Sequence, residues 1–193
     1  MLTTETFAGA VPATRAQTAR RMIAVALGAT LVALVAQFEI PVPFSPVPET
    51  LQGGALLLVG LVLGPRLGAA ALVTYLLAGV AGLPVFAGGS FGFLKIIGPT
   101  GGYLLAFPIG ALVAGWIATR ATRIITPIRY LLGAMAGMAV VHLGGWSWLT
   151  IVTGNPGAAF AMGVVPFGLT DMLEVALASG LGLALRGPVR RVL

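Results

Sequence analysis

Charge is almost absent from long stretches of this chain, and that constrains its fold more than any motif does. No Asp, Glu, Lys or Arg occurs from Leu67 to Leu94, from Ile96 to Thr119, or from Tyr130 to Thr170. A membrane-spanning helix needs about 20 mostly apolar residues, and each of these runs can hold one. Charged residues make up 8% of the 193 residues and hydrophobic ones 58%, with a mean hydropathy of +1.03. A soluble domain carries about 25% charged residues because its surface must be hydrated. The fold class is therefore an all-α membrane protein, and an ordinary water-soluble domain is excluded.

Glycine and proline divide the apolar runs into six predicted helices: Arg21–Phe38, Leu51–Leu63, Leu67–Leu83, Tyr103–Thr119, Tyr130–Leu149 and Thr170–Leu185. Between the first two, Pro41, Pro43, Pro46 and Pro48 alternate. Proline lacks the backbone N–H and disfavours helix in its predecessor, so a stiff extended loop is predicted there. Pro84 to Gly102 and Asn155 to Pro166 read as further long loops. The second helix, about 20 Å long, is too short to cross a bilayer alone. It is expected to start below the outer surface and leave a cavity beneath the proline loop.

Of the 11 basic residues all but Lys95 are Arg, and net charge is +6. The arginines do not form a nucleic-acid footprint, which needs one clustered basic face. They fall before the first helix (Arg15, Arg20, Arg21), between the second and third (Arg66), between the fourth and fifth (Arg120, Arg123, Arg129), and after the sixth (Arg186, Arg190, Arg191). All lie on one side of a six-helix chain, so the positive-inside rule puts both termini in the cytoplasm and the three Gly/Pro loops outside. Residues 1–20 are then a cytoplasmic segment, too polar for a signal-peptide core, and 21–193 one six-helix membrane domain.

Few side chains carry chemistry. Asp171 and Glu174 share one face of the sixth helix at i and i+3. Acids in a span are costly and face a cavity or a partner. They serve ligand binding, or proton or cation coupling, or they simply complement the helix dipole. Lys95 either meets a ligand carboxylate, pairs with Glu174, or snorkels to lipid phosphate. His142 stands alone, and without Cys or a second His it reads as a packed histidine bonded across helices, with no metal implied. Trp146 and Trp148 read as an interfacial belt. Gly88-Gly89-Ser90-Phe91-Gly92 matches G-x-S-x-G, but a nucleophile elbow needs a strand before it and a helix after it. No P-loop is present, so this chain cannot itself hydrolyse ATP that way.

Four separated motifs resemble the BioY family of biotin transporters. They are Ile40-Pro41-Val42-Pro43-Phe44-Ser45-Pro46-Val47-Pro48 with Thr50-Leu51-Gln52, Leu63-Gly64-Pro65-Arg66-Leu67-Gly68, Gly82-Leu83-Pro84-Val85-Phe86-Ala87-Gly88-Gly89-Ser90, and Gly98-Pro99-Thr100-Gly101-Gly102-Tyr103. The surroundings of Asp171 resemble the family's last helix. The resemblance implies a biotin-binding S component of an energy-coupling factor transporter. Such a protein has six membrane helices in the cell membrane and an external vitamin pocket. It works with a transmembrane coupling subunit and two cytosolic ATPases. Small residues of the first helix, Ala29 and Ala33, would face the coupling subunit.

By the same resemblance Asp171 bonds the ureido ring of biotin and Ser90 lies near that ring. Gln52 joins the ligand contacts, and Phe44, Phe86 and Tyr103 supply apolar wall. The family's D-x-x-K would hold the ligand carboxylate with its Lys, but here Glu174 stands in that place. Lys95 is expected to supply the missing cation. A cation- or proton-coupled secondary transporter using Asp171 and Glu174 is the other reading.

The topology has a direct test. Cysteine introduced at Gly157 should react with an impermeant maleimide on intact cells, and cysteine at Thr122 should not. The reverse pattern would overturn the orientation.

Overall fold

A computed structural model describes residues 14–193. The first residues of the predicted N-terminal segment, 1–13, lie outside it. Eight α-helices occur among the described residues: α1 (Arg15–Val35), α2 (Gln52–Leu63), α3 (Pro65–Val80), α4 (Phe93–Ile97), α5 (Gly101–Arg120), α6 (Thr126–Thr153), α7 (Pro156–Gly163) and α8 (Gly168–Val192). Two short strands, β1 (Glu39–Ile40) and β2 (Glu49–Thr50), pair antiparallel between α1 and α2. Four helical stretches, Arg15–Val35, Gly101–Arg120, Thr126–Thr153 and Pro156–Val189, are long and apolar enough to cross a membrane, while α2 and α3 are shorter.

Helix α1 starts at Arg15, earlier than the predicted Arg21, because Thr14 and Gln17 close a capping box. The proline loop is more structured than a bare extended segment. Glu39 pairs with Thr50 and Ile40 with Glu49, so the ribbon folds the prolines back over α2. Two loops read from sequence as irregular each contain a helix. In Asn155–Pro166 the Asn155 side chain accepts the Ala158 N–H at 3.0 Å and Pro156 takes the first helical position. That is a cap-and-proline helix start. In Pro84–Gly102, positive φ at Gly88 and Gly89 turns the chain sharply before α4.

Helix α2 is apolar all round and lies buried at the centre, in contact with α1, α3, α5, α6 and α8. A helix hydrophobic on every face belongs inside a larger structure. Its neighbours reach it through residues without side chains. A Cβ on Gly60 would strike the Ala111 backbone, and one on Gly115 would lie 2.7 Å from the Pro65 nitrogen. Helices α5 and α6 meet along a similar seam. A Cβ on Gly133 would come within 2.7 Å of the Ala114 carbonyl oxygen, and one on Gly137 within 2.8 Å of that of Gly110. In a bilayer, apolar contact with another helix gains little over contact with lipid, so close packing of small residues carries the association.

The bundle has two unlike ends. At one, the Arg20 guanidinium donates to the Val192 carbonyl at 3.2 Å, Arg186 lies 5.7 Å over the Tyr130 ring, and Gly115 meets Pro65. The starts of α1, α3 and α6 therefore join the ends of α5 and α8 at an arginine-rich end. The other end gathers the proline ribbon, the glycine-rich loop, α7 and the start of α8. Ala29 is buried in the core and Ala33 packs partly against it, so both face inward. The outward face of α1 is made instead by residues such as Leu27, Thr30 and Leu34.

The seam is testable by contrast. Gly60→Ala should destabilise the purified protein by about 1–3 kcal/mol through overpacking. Gly180→Ala, on an open face of α8 where an added Cβ meets nothing within 4 Å, should leave the thermal midpoint unchanged or raised.

Candidate functional site

The end opposite the arginines holds a cavity of about 130 Å³. A single water needs about 10–15 Å³ by this measure, so polar groups facing the cavity are within reach of solvent or ligand. The short α2 creates the space, because its first turn begins beneath the ribbon. Pro46 to Thr50 form the roof, as the shortness of this helix predicts. Val47 is buried under that roof, and a Ser45 turn holds it there through hydrogen bonds of 3.0 Å in both directions.

Seven of the eight residues expected to bind ligand line this one cavity: Gln52, Phe86, Ser90, Lys95, Tyr103, Asp171 and Glu174. The eighth, Phe44, does not. It sits at the tip of the ribbon, 65% exposed and away from the lining. A loop reversal decides which of its side chains turn inward, and here Val47 takes that place.

The aromatic walls are held rigidly. Tyr103 donates its hydroxyl to the Gly163 carbonyl at 2.6 Å and packs into the gap left by Gly145. Phe86 fits against Gly79 and meets Tyr75 edge-on, the ring centroids 5.5 Å apart. The Gln52 amide donates to the Tyr75 hydroxyl at 2.6 Å, and its oxygen accepts from Thr50 at 3.2 Å. Ser90 donates to the Ala87 carbonyl at 2.6 Å, which closes the glycine turn on itself. It has no hydrogen bond to His142, and the G-x-S-x-G spacing builds no nucleophile elbow.

Asp171 and His142 form the central polar pair. The imidazole Nε2 is 2.6 Å from Asp171 Oδ2, and it is the only ion pair among the described residues. Both are partly buried, at 17% and 18% side-chain exposure. Tyr103 and Phe167 flank the ring at centroid distances of 6.3 Å. His142 is thus a histidine bonded across helices, as expected. Its partner is 29 residues away on another helix, and no local pattern reveals it.

Glu174 does something its position in the sequence does not suggest. Leu51, the N-cap of α2, offers no side-chain cap. Instead Glu174 reaches from α8, and its Oε2 accepts the Gly54 N–H at 3.0 Å. A carboxylate at a helix start satisfies an orphan donor and meets the positive end of the dipole. Gly53 and Gly54 make room for it: a Cβ on Gly53 would strike the carboxylate, and one on Gly54 would lie 3.3 Å from Glu174 Cβ. Lys95 is exposed at the rim, on α4, and forms no pair with Glu174.

Sequence reasoning missed Glu49, which lines the roof from β2. Burial makes its carboxyl harder to ionise, the charge of Asp171 adds to that, and the Thr170 hydroxyl opposes it. The cavity is therefore acid-rich inside, with one ammonium at its mouth. The two tryptophans are stitches as much as a belt. Trp148 donates to the Gly98 carbonyl at 2.8 Å and Trp146 to that of Pro156 at 3.0 Å.

Comparison with known proteins agrees with this architecture. A family model described as the BioY family matches residues 9–191. A probable biotin transporter BioY of Pyrococcus horikoshii is 41% identical over 169 residues, covering 88% of this chain and 98% of the relative. The biotin transporter BioY of Thermotoga maritima is 36% identical over 76% of this chain and 85% of its own length. Among solved structures, the S-component for biotin from an ECF-type ABC transporter superposes with a TM-score of 0.73. It covers 94% of each chain at 22% identity, a likeness of fold.

Tyr103→Phe leaves the buried Gly163 carbonyl without its donor. It should cost about 1–3 kcal/mol in stability, read as a lower thermal midpoint in detergent.

Proposed function

The chain belongs to the BioY family, and from that premise we propose that it is a biotin-binding S component, a transport protein and not an enzyme. Six helices (α1, α2, α3, α5, α6 and α8) form one membrane domain over 21–193 in the plasma membrane, with both termini cytoplasmic and the cavity facing out. Uptake is driven by ATP through a transmembrane coupling subunit and two cytosolic ATPases. The observation that carries the reading is the cavity itself, where apolar aromatic walls surround a few convergent polar groups, opposite the arginine-rich end.

Biotin matches that layout chemically. Its ureido group offers two N–H donors and one acceptor. Asp171, oriented by His142, takes a donor, and Ser90 serves the carbonyl once its hydroxyl turns from Ala87 to the ligand. Phe86, Tyr103 and Gln52 bound the ring. The carboxylate tail points to the rim, where Lys95 stands. A Lys on a flexible stem works as a mobile point charge, so it can meet an anion from a loop helix. The coupling subunit meets α1 by its outward residues, since Ala29 and Ala33 are turned in. The secondary-transporter reading needs Asp171 and Glu174 to pass a proton or cation. Each is instead bonded elsewhere, one to His142 and one to the start of α2.

Asp171→Asn removes a charge-assisted hydrogen bond and should weaken biotin binding about tenfold or more. Titration of the purified protein measures this. In the same titration Lys95→Ala should weaken biotin more than biotin amide, because only biotin carries the anion. Unchanged affinity in Asp171→Asn removes that residue from the site.

A further inference from the structure

Glu174 has one oxygen that the fold does not use. Its Oε2 is committed to the Gly54 N–H, but its Oε1 is buried without any hydrogen-bond partner. The residue is only 5% exposed, yet it lines the cavity. An unmade hydrogen bond on a buried polar atom is expensive, and natural structures keep few of them. No cation compensates this one, since among the described residues the only ion pair is His142–Asp171. Glu174 lies one helical turn beyond Asp171 on the same face of α8. Asp171 and Glu174 therefore both line the cavity from one face of α8, each tied at one oxygen to another helix.

We propose that the free oxygen of Glu174 is the acceptor for the second ring N–H of the bound ligand, with Asp171 accepting the first. This rests on the ligand reading above and deepens it. The site then recognises a cyclic urea or similar ring by its two N–H groups. The acid-rich interior directs the ligand carboxylate outward to Lys95. Glu174 has two duties that separate cleanly by atom: Oε2 caps α2, and Oε1 meets ligand. The glycine pair Gly53-Gly54 allows both, because any side chain there would displace the carboxylate.

Glu174→Gln tests the division. Its amide oxygen can still accept from Gly54, but its NH₂ now presents a donor where the ligand N–H needs an acceptor. The expected result is a thermal midpoint near that of the parent and a biotin affinity about tenfold lower or worse. Glu174→Ala should lose both stability and affinity. Recovery of parental biotin affinity by Glu174→Gln would show a cap alone and overturn the proposal. The unaltered protein supplies a second test that does not depend on a variant folding. Biotin methylated at either ureido nitrogen should bind more weakly than biotin, because both N–H groups are engaged. If one methyl isomer binds as well as biotin, the proposal fails while the ligand reading stands. If biotin itself does not bind the parent, both fail together.

Discussion

The contact between Glu174 and the first turn of α2 governs the binding end of this molecule. Helix α2 begins inside the bundle, so its orphan N–H groups cannot turn to bulk water as those of a surface helix do. A carboxylate from α8 meets one of them, and Gly53 and Gly54 let it approach. That tie sets where α2 begins, and with it the position of Gln52 and the depth of the cavity. On the same face of α8, Asp171 reaches His142. A side chain at Gly53 would strike the Glu174 carboxylate and so alter the site through that residue.

The rest of the bundle is arranged around the same short helix by the absence of side chains. Gly60, Gly68 and Gly115 let α2, α3 and α5 approach backbone to backbone, and Gly110, Gly133, Gly137 and Gly144 do so for α5 and α6. Such contacts hold one register, because a shift of one residue places a side chain where none fits. The cavity end can thus carry polar groups and irregular loops while the arginine end stays close-packed. The large apolar side chains left on the outside of α3, such as Val73 and Leu77, suit a lipid solvent.

The departure at Glu174 is informative in this light. The family resemblance leads one to expect a cation there and to read the acid as a conflict with an anionic ligand. In three dimensions it is a cap, and the cation is found on α4, at the rim. In the proposed binding mode the ligand's charge is met at the mouth and its neutral ring inside, where water is scarce and a hydrogen bond discriminates most.

Much was legible in one dimension. Charge-free runs, prolines and glycines locate the six longest helices, because the cost of burying charge in a membrane is large enough to be written in composition, though α1 begins six residues before and α8 ends seven residues after the predicted bounds. The short second helix implies the cavity, the scarcity of charge in apolar surroundings singles out Asp171, Glu174 and Lys95, and the family resemblance adds Gln52, Phe86, Ser90 and Tyr103. The tertiary structure alone decided which partner each polar group takes. His142 with Asp171, Gln52 with Tyr75 and Glu174 with Gly54 join helices far apart in the chain. It also decided which face of α1 is inward and whether Phe44 or Val47 enters from the ribbon. Those outcomes depend on helix rotation and loop reversal, which no periodicity records when a helix is apolar on every side. Composition limits where a helix can lie, and only packing against its neighbours decides which way it turns.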